Sequence, residues 1–369
     1  MSEQTRLVAG ACDARFARVR DAFEELFGSG AEIGAAVAAF VDGRLVIDLW
    51  GGTADGRVPW QPDTLVNTYS VTKPFAAACL LMLVEKGRVD LDERVHRYWP
   101  EYSAAGKEAT TIRHVLSHQA GVVAWSRPQP VEALLEWSRA AALCASETPL
   151  WPPGEAHGES LFLYGHLVGE IVRRVDGRAL GTFLSEEMCR PHMIDFHVGL
   201  TPGQQVRCAV VVGMDEQWHA ELLRDRTDLF LHATVNTPGV TDETVVNSAA
   251  WRAAQIPAIN GHGTARGVAA FYNHLLRAVS TAEPLLAPST LAEAIRPQRR
   301  GLDLVLGEDA AWGLGFRDFE DGSFGMGGLG GAVGLASRTH GYSFGYVTRR
   351  MAGDERNDLL EQALISCLD

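Results

Sequence analysis

A chain of 369 residues, 46% of them hydrophobic, is long enough to bury a large core and to form two domains or one large one. Its net charge of -13 gives an acidic surface that repels phosphates, which excludes nucleic acid as a partner. The longest apolar run falls far short of the ~18 residues that span a bilayer, and no basic segment followed by an apolar one opens the chain, so neither membrane nor export is expected and the location is read as cytoplasmic.

In chain order, Ala35 to Phe40 and Leu45 to Leu49 are short apolar runs joined by Asp42-Gly43, the signature of a β-hairpin. Helical patterns follow over Ser70 to Lys86, Thr111 to Ser117, Val131 to Ala145, Leu163 to Val175, Leu180 to Met193 and Ala265 to Val279. Strand character returns at Trp312 to Phe319, Gly331 to Ser337 and Tyr342 to Thr348, broken by Asp321-Gly322 and His340-Gly341, before a helical tail from Arg356 to Cys367. Strands at both ends with helices between them predict an α/β (α+β) fold. An antiparallel sheet built from the two ends, flanked by the terminal helices, carries an inserted, mainly helical domain. The expected division is a sheet domain over 1–68 and 300–369 and a helical domain over 69–299.

The six cysteines are scattered without zinc-site or disulfide spacing and read as buried thiols. The 12 histidines include no His-Glu-x-x-His pair, so no metal is expected. His114, His118 and His262 read as structural histidines that satisfy local hydrogen bonds. The nine tryptophans, among them Trp125, Trp151, Trp218 and Trp312, read as core and domain-interface residues, with one or two left for a pocket wall.

The chemistry concentrates at Ser70-Val71-Thr72-Lys73. If Ser70 opens the helix, Lys73 stands one turn on, on the same face and within reach of the hydroxyl. A serine hydroxyl is a weak nucleophile, and an adjacent amine held in a dry site can give up its own proton and take the serine's. The helix N-terminus favours both the neutral amine and a developing alkoxide. The bland alternative makes Ser70 an N-cap. Because Phe75 to Val84 is apolar on every side, the helix belongs in the core, where a first-turn lysine suits a site better than a scaffold.

Two other motifs fail on context. Gly341-Tyr342-Ser343-Phe344-Gly345 matches the nucleophile elbow, but it lies inside an alternating strand pattern and no histidine follows it. Gly325-Met326-Gly327-Gly328-Leu329-Gly330 matches the dinucleotide fingerprint, but it sits between strand candidates near the C-terminus rather than opening a helix. It reads instead as a glycine-rich strand edge where a substrate carbonyl can approach backbone amides. No cofactor is implied.

Taken together, Ser70 to Lys73, Gly87-Arg88-Val89-Asp90-Leu91-Asp92, Thr111 to Gly121, Trp151-Pro152-Pro153-Gly154-Glu155, Gly165 to Glu170, Asn260 to Gly267 and Gly327 to Gly331 resemble the serine β-lactamase-related family. That family includes class C β-lactamases, penicillin-binding carboxypeptidases, esterases and acyltransferases, and the likeness is greatest to its esterase branch. The resemblance covers roughly residues 30 to 350 and implies a sheet domain and a helical domain with the site between them. It makes Ser70 the nucleophile and Lys73 its partner. The family's tyrosine, ten residues before the second glycine of the Gly-x-Leu-Val-Gly-Glu segment, falls at Glu159, with His157 nearby to tune it. A register shift would bring Tyr164 instead, although on a helix it points to another face. The third motif, usually a lysine or histidine and two small residues, becomes Met326, Gly327 and Gly328, after which Leu329 offers its amide, with that of Ser70, as an oxyanion hole. Two consequences bear on the chemistry. A glutamate beside Lys73 is expected to hold it protonated and weaken it as a base, leaving Glu159 as the alternative base. A thioether at Met326 suggests an apolar ligand.

The implied activity is acyl-enzyme chemistry on a small ester or amide. It is read as an esterase-type hydrolase, with two alternatives: a transacylase passing the acyl group to an amine or alcohol without ATP, and an inactive relative that binds a ligand. True β-lactamase action is disfavoured by the missing export signal and the missing cation of the third motif.

Overall fold

The strand Gly34–Val41 alternates between two cores, Ala35, Val37, Ala39 and Val41 facing one and Ala36 and Ala38 the other. That is the period of two for a strand covered on both faces. The computed structural model describes residues 8–237, 239–277, 284–319 and 321–368. The strand belongs to a nine-stranded sheet made of Val8–Cys12 (β1), Gly34–Val41 (β2), Arg44–Gly52 (β3), Arg299–Leu302 (β4), Asp309–Trp312 (β5), Arg317–Asp318 (β6), Ser323–Gly328 (β7), Ala332–Ser337 (β8) and Tyr342–Thr348 (β9). The spatial order is β1-β3-β2-β9-β8-β7-β6-β5-β4 and every neighbouring pair is antiparallel. The two ends of the chain meet where β2 pairs β9, from Ala35 opposite Thr348 to Val41 opposite Tyr342. This is the antiparallel sheet expected from the sequence.

Five helices frame the sheet and the site: Ala17–Gly28 (α1), Thr72–Glu85 (α2), Tyr164–Asp176 (α3), Ala265–Leu276 (α4) and Glu355–Ile365 (α5). The terminal pair, α1 and α5, covers one sheet face with Phe23, Leu26, Leu360 and Leu364. Across the other face lies α4, and two glycines let it come close. Gly334 and Gly345 are cross-strand partners, and a Cβ on Gly345 would stand 2.5 Å from the Ala265 carbonyl oxygen. The Gly-x-Ser-x-Gly match is therefore a packing surface. Its Ser343 is fully buried on β9 and donates to the Ala269 carbonyl.

Helix α2 runs through the centre and is buried on all sides. Phe75 stacks on Phe196 at 3.8 Å and on Phe271 at 4.0 Å. Each such large apolar side chain contributes roughly 1.5–3 kcal/mol on burial.

Several predicted elements are interrupted. Val131 to Ala145 splits at Glu136 into Val131–Leu135 and Trp137–Ser146, a break that lets Trp137 turn its indole N–H to Glu170 at 2.7 Å. Leu180 to Met193 begins as a helix but widens into a π-helical turn over Leu184–Cys189, and Met193 is left exposed in left-handed backbone. Trp312 to Phe319 folds back after β5, with Gly313 N–H donating to Phe316 O and Gly315 at φ 88°. Strands β1 and β4 have no counterpart in the sequence reading, and the glycine-rich edge is an interior strand, β7. Residues 278 and 279 of the predicted helix from Ala265 lie outside the described residues. All six cysteines are free, but only Cys79, Cys144 and Cys189 are buried; Cys12, Cys208 and Cys367 are half-exposed. Among the described residues no helix is long and apolar enough to cross a membrane.

Candidate active site

Ser70 does not cap α2 with its side chain; the helix starts at Thr72 without a side-chain cap. Instead the serine sits on a corner. Tyr69 before it adopts φ 47°, a left-handed conformation that costs a bulky residue on the order of 1–3 kcal/mol and persists only where surroundings impose it. The imposing contacts come from the segment that begins at Asn260. Thr68 donates twice to the Gly261 carbonyl, at 2.8 Å from its amide and 2.9 Å from its hydroxyl. Thr72 Oγ1 accepts from Gly261 N–H at 2.9 Å and donates to Tyr69 O at 2.5 Å. The corner turns Ser70 Oγ toward Lys73, whose Nζ lies 2.5 Å away. Lys73 is fully buried, and Glu159 Oε1 stands 2.9 Å from the same nitrogen with Glu159 itself 5% exposed.

Burial drives the Lys73 ammonium below the ordinary lysine value, and Glu159 opposes the shift without reversing it. Desolvation is thus the larger effect on Lys73, while the Glu159 charge favours the ammonium as expected.

Ser70 and Glu159 open on a cavity of about 600 Å³ whose lining also includes Met326, Gly327, Gly328 and Leu329, with Lys73 buried behind them. Gly328 presses against the Ser70 corner, since a Cβ there would meet the Thr68 carbonyl oxygen at 2.2 Å. Only glycine permits that approach, and it brings the Leu329 backbone to the cavity that Ser70 faces. Met326 packs with Ala310, Trp312 and Leu306 in an apolar wall.

With this geometry in place, the family model described as Beta-lactamase matches residues 19–366. The chain belongs to that family. It is 30% identical to the Esterase/beta-lactamase LipL of Mycobacterium tuberculosis, over 94% of this chain and 84% of that one. Among solved structures, a family VIII carboxylesterase superposes with a TM-score of 0.89 at 33% identity, covering 98% of this chain and 99% of that chain. A penicillin-binding protein homologue from Caulobacter crescentus gives a TM-score of 0.85 at 34% identity, covering 98% of this chain and 99% of its own.

Within this family fold, Tyr164 begins α3, and its hydroxyl donates to the Leu116 carbonyl at 3.2 Å. Burial pushes its phenol far above the ordinary value. His157 does not reach Glu159 by a hydrogen bond; burial lowers its imidazole and the nearby Asp303 charge opposes this. His114 accepts from Thr111 N–H in a capping box, and His262 bonds the Asn260 carbonyl oxygen at 2.8 Å. Trp218 and Trp312 line the cavity, while Trp125 and Trp251 are core.

Two residues prove more important than the sequence reading made them. Asp303 is completely buried, and its carboxylate accepts from Glu159 N–H at 3.0 and 3.2 Å, Val305 N–H at 2.9 Å, Leu306 N–H at 2.9 Å and Trp312 Nε1–H at 2.9 Å. One side chain therefore ties the Glu159 loop to the apolar wall. The available signal was a lone carboxylate inside Leu302 to Leu306, since a charge in an apolar run marks a buried, bonded site. From the other side His118, at φ 59°, accepts Gly158 N–H at its carbonyl and Ser160 N–H at Nδ1. Its burial and the adjacent Lys73 charge hold the ring well below its ordinary value, so it stays neutral and keeps accepting at Nδ1. The loop carrying Glu159 is thus gripped at both flanking peptides.

Asp303→Asn replaces an acceptor oxygen by an NH₂ that faces N–H groups. We expect a stability loss of about 1–3 kcal/mol for the donors left unsatisfied, read by urea denaturation, together with a fall in kcat at conditions where the variant is still folded. Unchanged kcat in a destabilised but folded variant would restrict Asp303 to a scaffold role.

Proposed function

We propose that the protein is a serine esterase that works through an acyl-enzyme on small carboxylic esters. The carrying observation is the 2.5 Å contact between Ser70 Oγ and a buried Lys73 whose proton affinity is lowered. With Nζ neutral, the same contact runs from the serine O–H to the amine lone pair. Ser70 Oγ bonds the carbonyl carbon as its proton passes to Nζ, and the Ser70 and Leu329 amides receive the oxyanion. Collapse breaks the ester C–O bond, and the leaving alkoxide takes the proton from Lys73. Water then attacks the acyl-enzyme, giving its proton to the Lys73–Glu159 pair, and Ser70 Oγ departs with that proton restored. Glu159 takes the position of the family tyrosine. Lying 2.9 Å from Nζ, it accepts or returns a proton without moving.

Acyl transfer is the second reading. Its support is the wall of Trp218, Leu222, Phe230, Leu306 and Trp312 around the cavity, which disfavours water relative to an apolar alcohol or amine at the acyl-enzyme. Incubation with p-nitrophenyl and methyl esters, with and without primary amines and alcohols, separates the two by mass spectrometry. Free acid in every case supports the esterase; amide or ester formed in preference to acid supports the transferase. Absence of any acyl product from folded protein, with no labelling by a fluorophosphonate, would favour an inactive ligand-binding relative.

A further inference from the structure

The turn that carries Leu329 is held by an ion pair buried outside the cavity. Glu32, 2% exposed, lies between α1 and β2. Its Oε1 accepts from Ile33 N–H at 2.8 Å and Gly34 N–H at 3.2 Å. Its Oε2 accepts from Tyr346 O–H at 2.5 Å, Thr348 Oγ1–H at 2.8 Å and Arg356 Nη1 at 2.6 Å. The other guanidinium nitrogen leaves this cluster and donates to Gly330 O at 2.7 Å and Arg350 O at 3.0 Å. The next residue on α5, Asn357, donates Nδ2–H to Gly331 O at 3.0 Å. Inside the turn, Gly331 N–H donates to Gly328 O at 3.1 Å.

We propose that Glu32, Arg356 and Asn357 are positioning residues for the oxyanion-binding turn Gly328 to Gly331. The inference rests on the acyl-enzyme reading above. The peptide between Gly328 and Leu329 is planar and trans, so its C=O and N–H point in opposite directions. Fixing the Gly328 carbonyl on Gly331 N–H fixes the Leu329 N–H direction as well. That internal bond closes a turn with Gly330 at φ 89°, and Gly331 follows at φ 96°, left-handed backbone that a glycine turn leaves free to exchange with other conformations. Clamping the Gly330 and Gly331 carbonyls from α5 removes that freedom. A buried ion pair is a weak source of net stability, because desolvation offsets its attraction. What it supplies here is a rigid anchor: Arg356 is oriented by Glu32 at one end and grips the turn with the other.

Two variants test this. Arg356→Lys keeps a cation for Glu32 but loses the second nitrogen that reaches Gly330. Asn357→Asp keeps the shape but loses the donor to Gly331. Each is assayed for ester turnover and for affinity toward an alkyl trifluoromethyl ketone, whose serine adduct carries an oxyanion, at a temperature where urea denaturation shows the variant folded. The expected result is a fall of about 10-fold or more in kcat with KM within about 2-fold, and a matching loss of ketone affinity, a part of the 10²–10³ that removing an oxyanion donor costs. Unchanged kcat and ketone affinity in both folded variants, or a loss carried by KM alone, overturns the clamp. Wild-type protein that neither turns over esters nor binds the ketone overturns the acyl-enzyme reading itself, which is a different outcome.

Discussion

Ser70→Ala is expected to lower ester turnover by at least about 10³-fold and to abolish labelling by a fluorophosphonate, because removal of a nucleophile acting in concert with its base removes nearly the whole covalent pathway. The two serines that could be suspected of replacing it are both engaged elsewhere. Ser343 is buried on β9 and bonded to a helix carbonyl, and Ser160 is buried with its hydroxyl on Val122 O at 2.9 Å. Stability should scarcely change, since Ser70 is half-buried and its side chain caps no helix. A variant that is folded by urea denaturation yet retains labelling would place the nucleophile elsewhere; one that retains turnover at wild-type rate would end the acyl-enzyme reading. The strain at Tyr69 adds a comparison. If the φ of 47° is imposed by the Gly261 latch, Thr72→Val should lower kcat while Ser70 remains chemically intact, because it removes both the acceptor for Gly261 N–H and the donor to Tyr69 O.

How much of this was legible in the sequence differs between elements for physical reasons. The β2–β3 hairpin, β8, β9 and α2 were readable because each carries its own period and its own turn residues, Asp42-Gly43 and His340-Gly341 among them. Strand character at both ends implied one sheet built from them, but the pairing of β2 with β9 inside it is visible only in the fold. Strand β4, half-exposed with the sequence Arg-Arg-Gly-Leu, has no apolar face to declare it and exists through pairing with β5; such tertiary overrides leave no local signal. At the site, Ser70 and Lys73 share one helical turn, so spacing alone placed them together. Glu159 lies far off in sequence and was reached only by family register; its loop is shaped by Asp303 and His118, contacts no periodicity encodes. Both opposing effects on Lys73 are legible, the dry site and the neighbouring carboxylate, but which is larger depends on how completely the packing excludes water.

The Lys73–Glu159 pair yields the other large effect. For Lys73 to accept the Ser70 proton it must be neutral, so kcat/KM should rise with pH through the folded-state Lys73 value, which burial places below the ~10.4 of a free lysine. Glu159 raises that value. Its removal in Glu159→Gln should therefore move the acid limb to lower pH while the plateau falls about 10²–10⁴-fold if Glu159 shares the proton transfer. A shifted limb with an intact plateau would make it an electrostatic neighbour only. Lys73→Met should lower the plateau to a similar degree and remove the limb. Stability follows a separate logic. Because the folded state binds the Lys73 proton less tightly than the unfolded chain, this group's contribution grows as pH rises toward the free-lysine value and is lost as pH falls through the lowered folded one. Removing one partner strands the other in a dry site and should cost about 3–5 kcal/mol, whereas Lys73→Met with Glu159→Leu should recover that stability or exceed the wild type. The double variant should stay inactive. Urea denaturation of the four proteins near pH 7 measures the coupling directly, and additive losses would mean that the 2.9 Å contact carries no interaction energy.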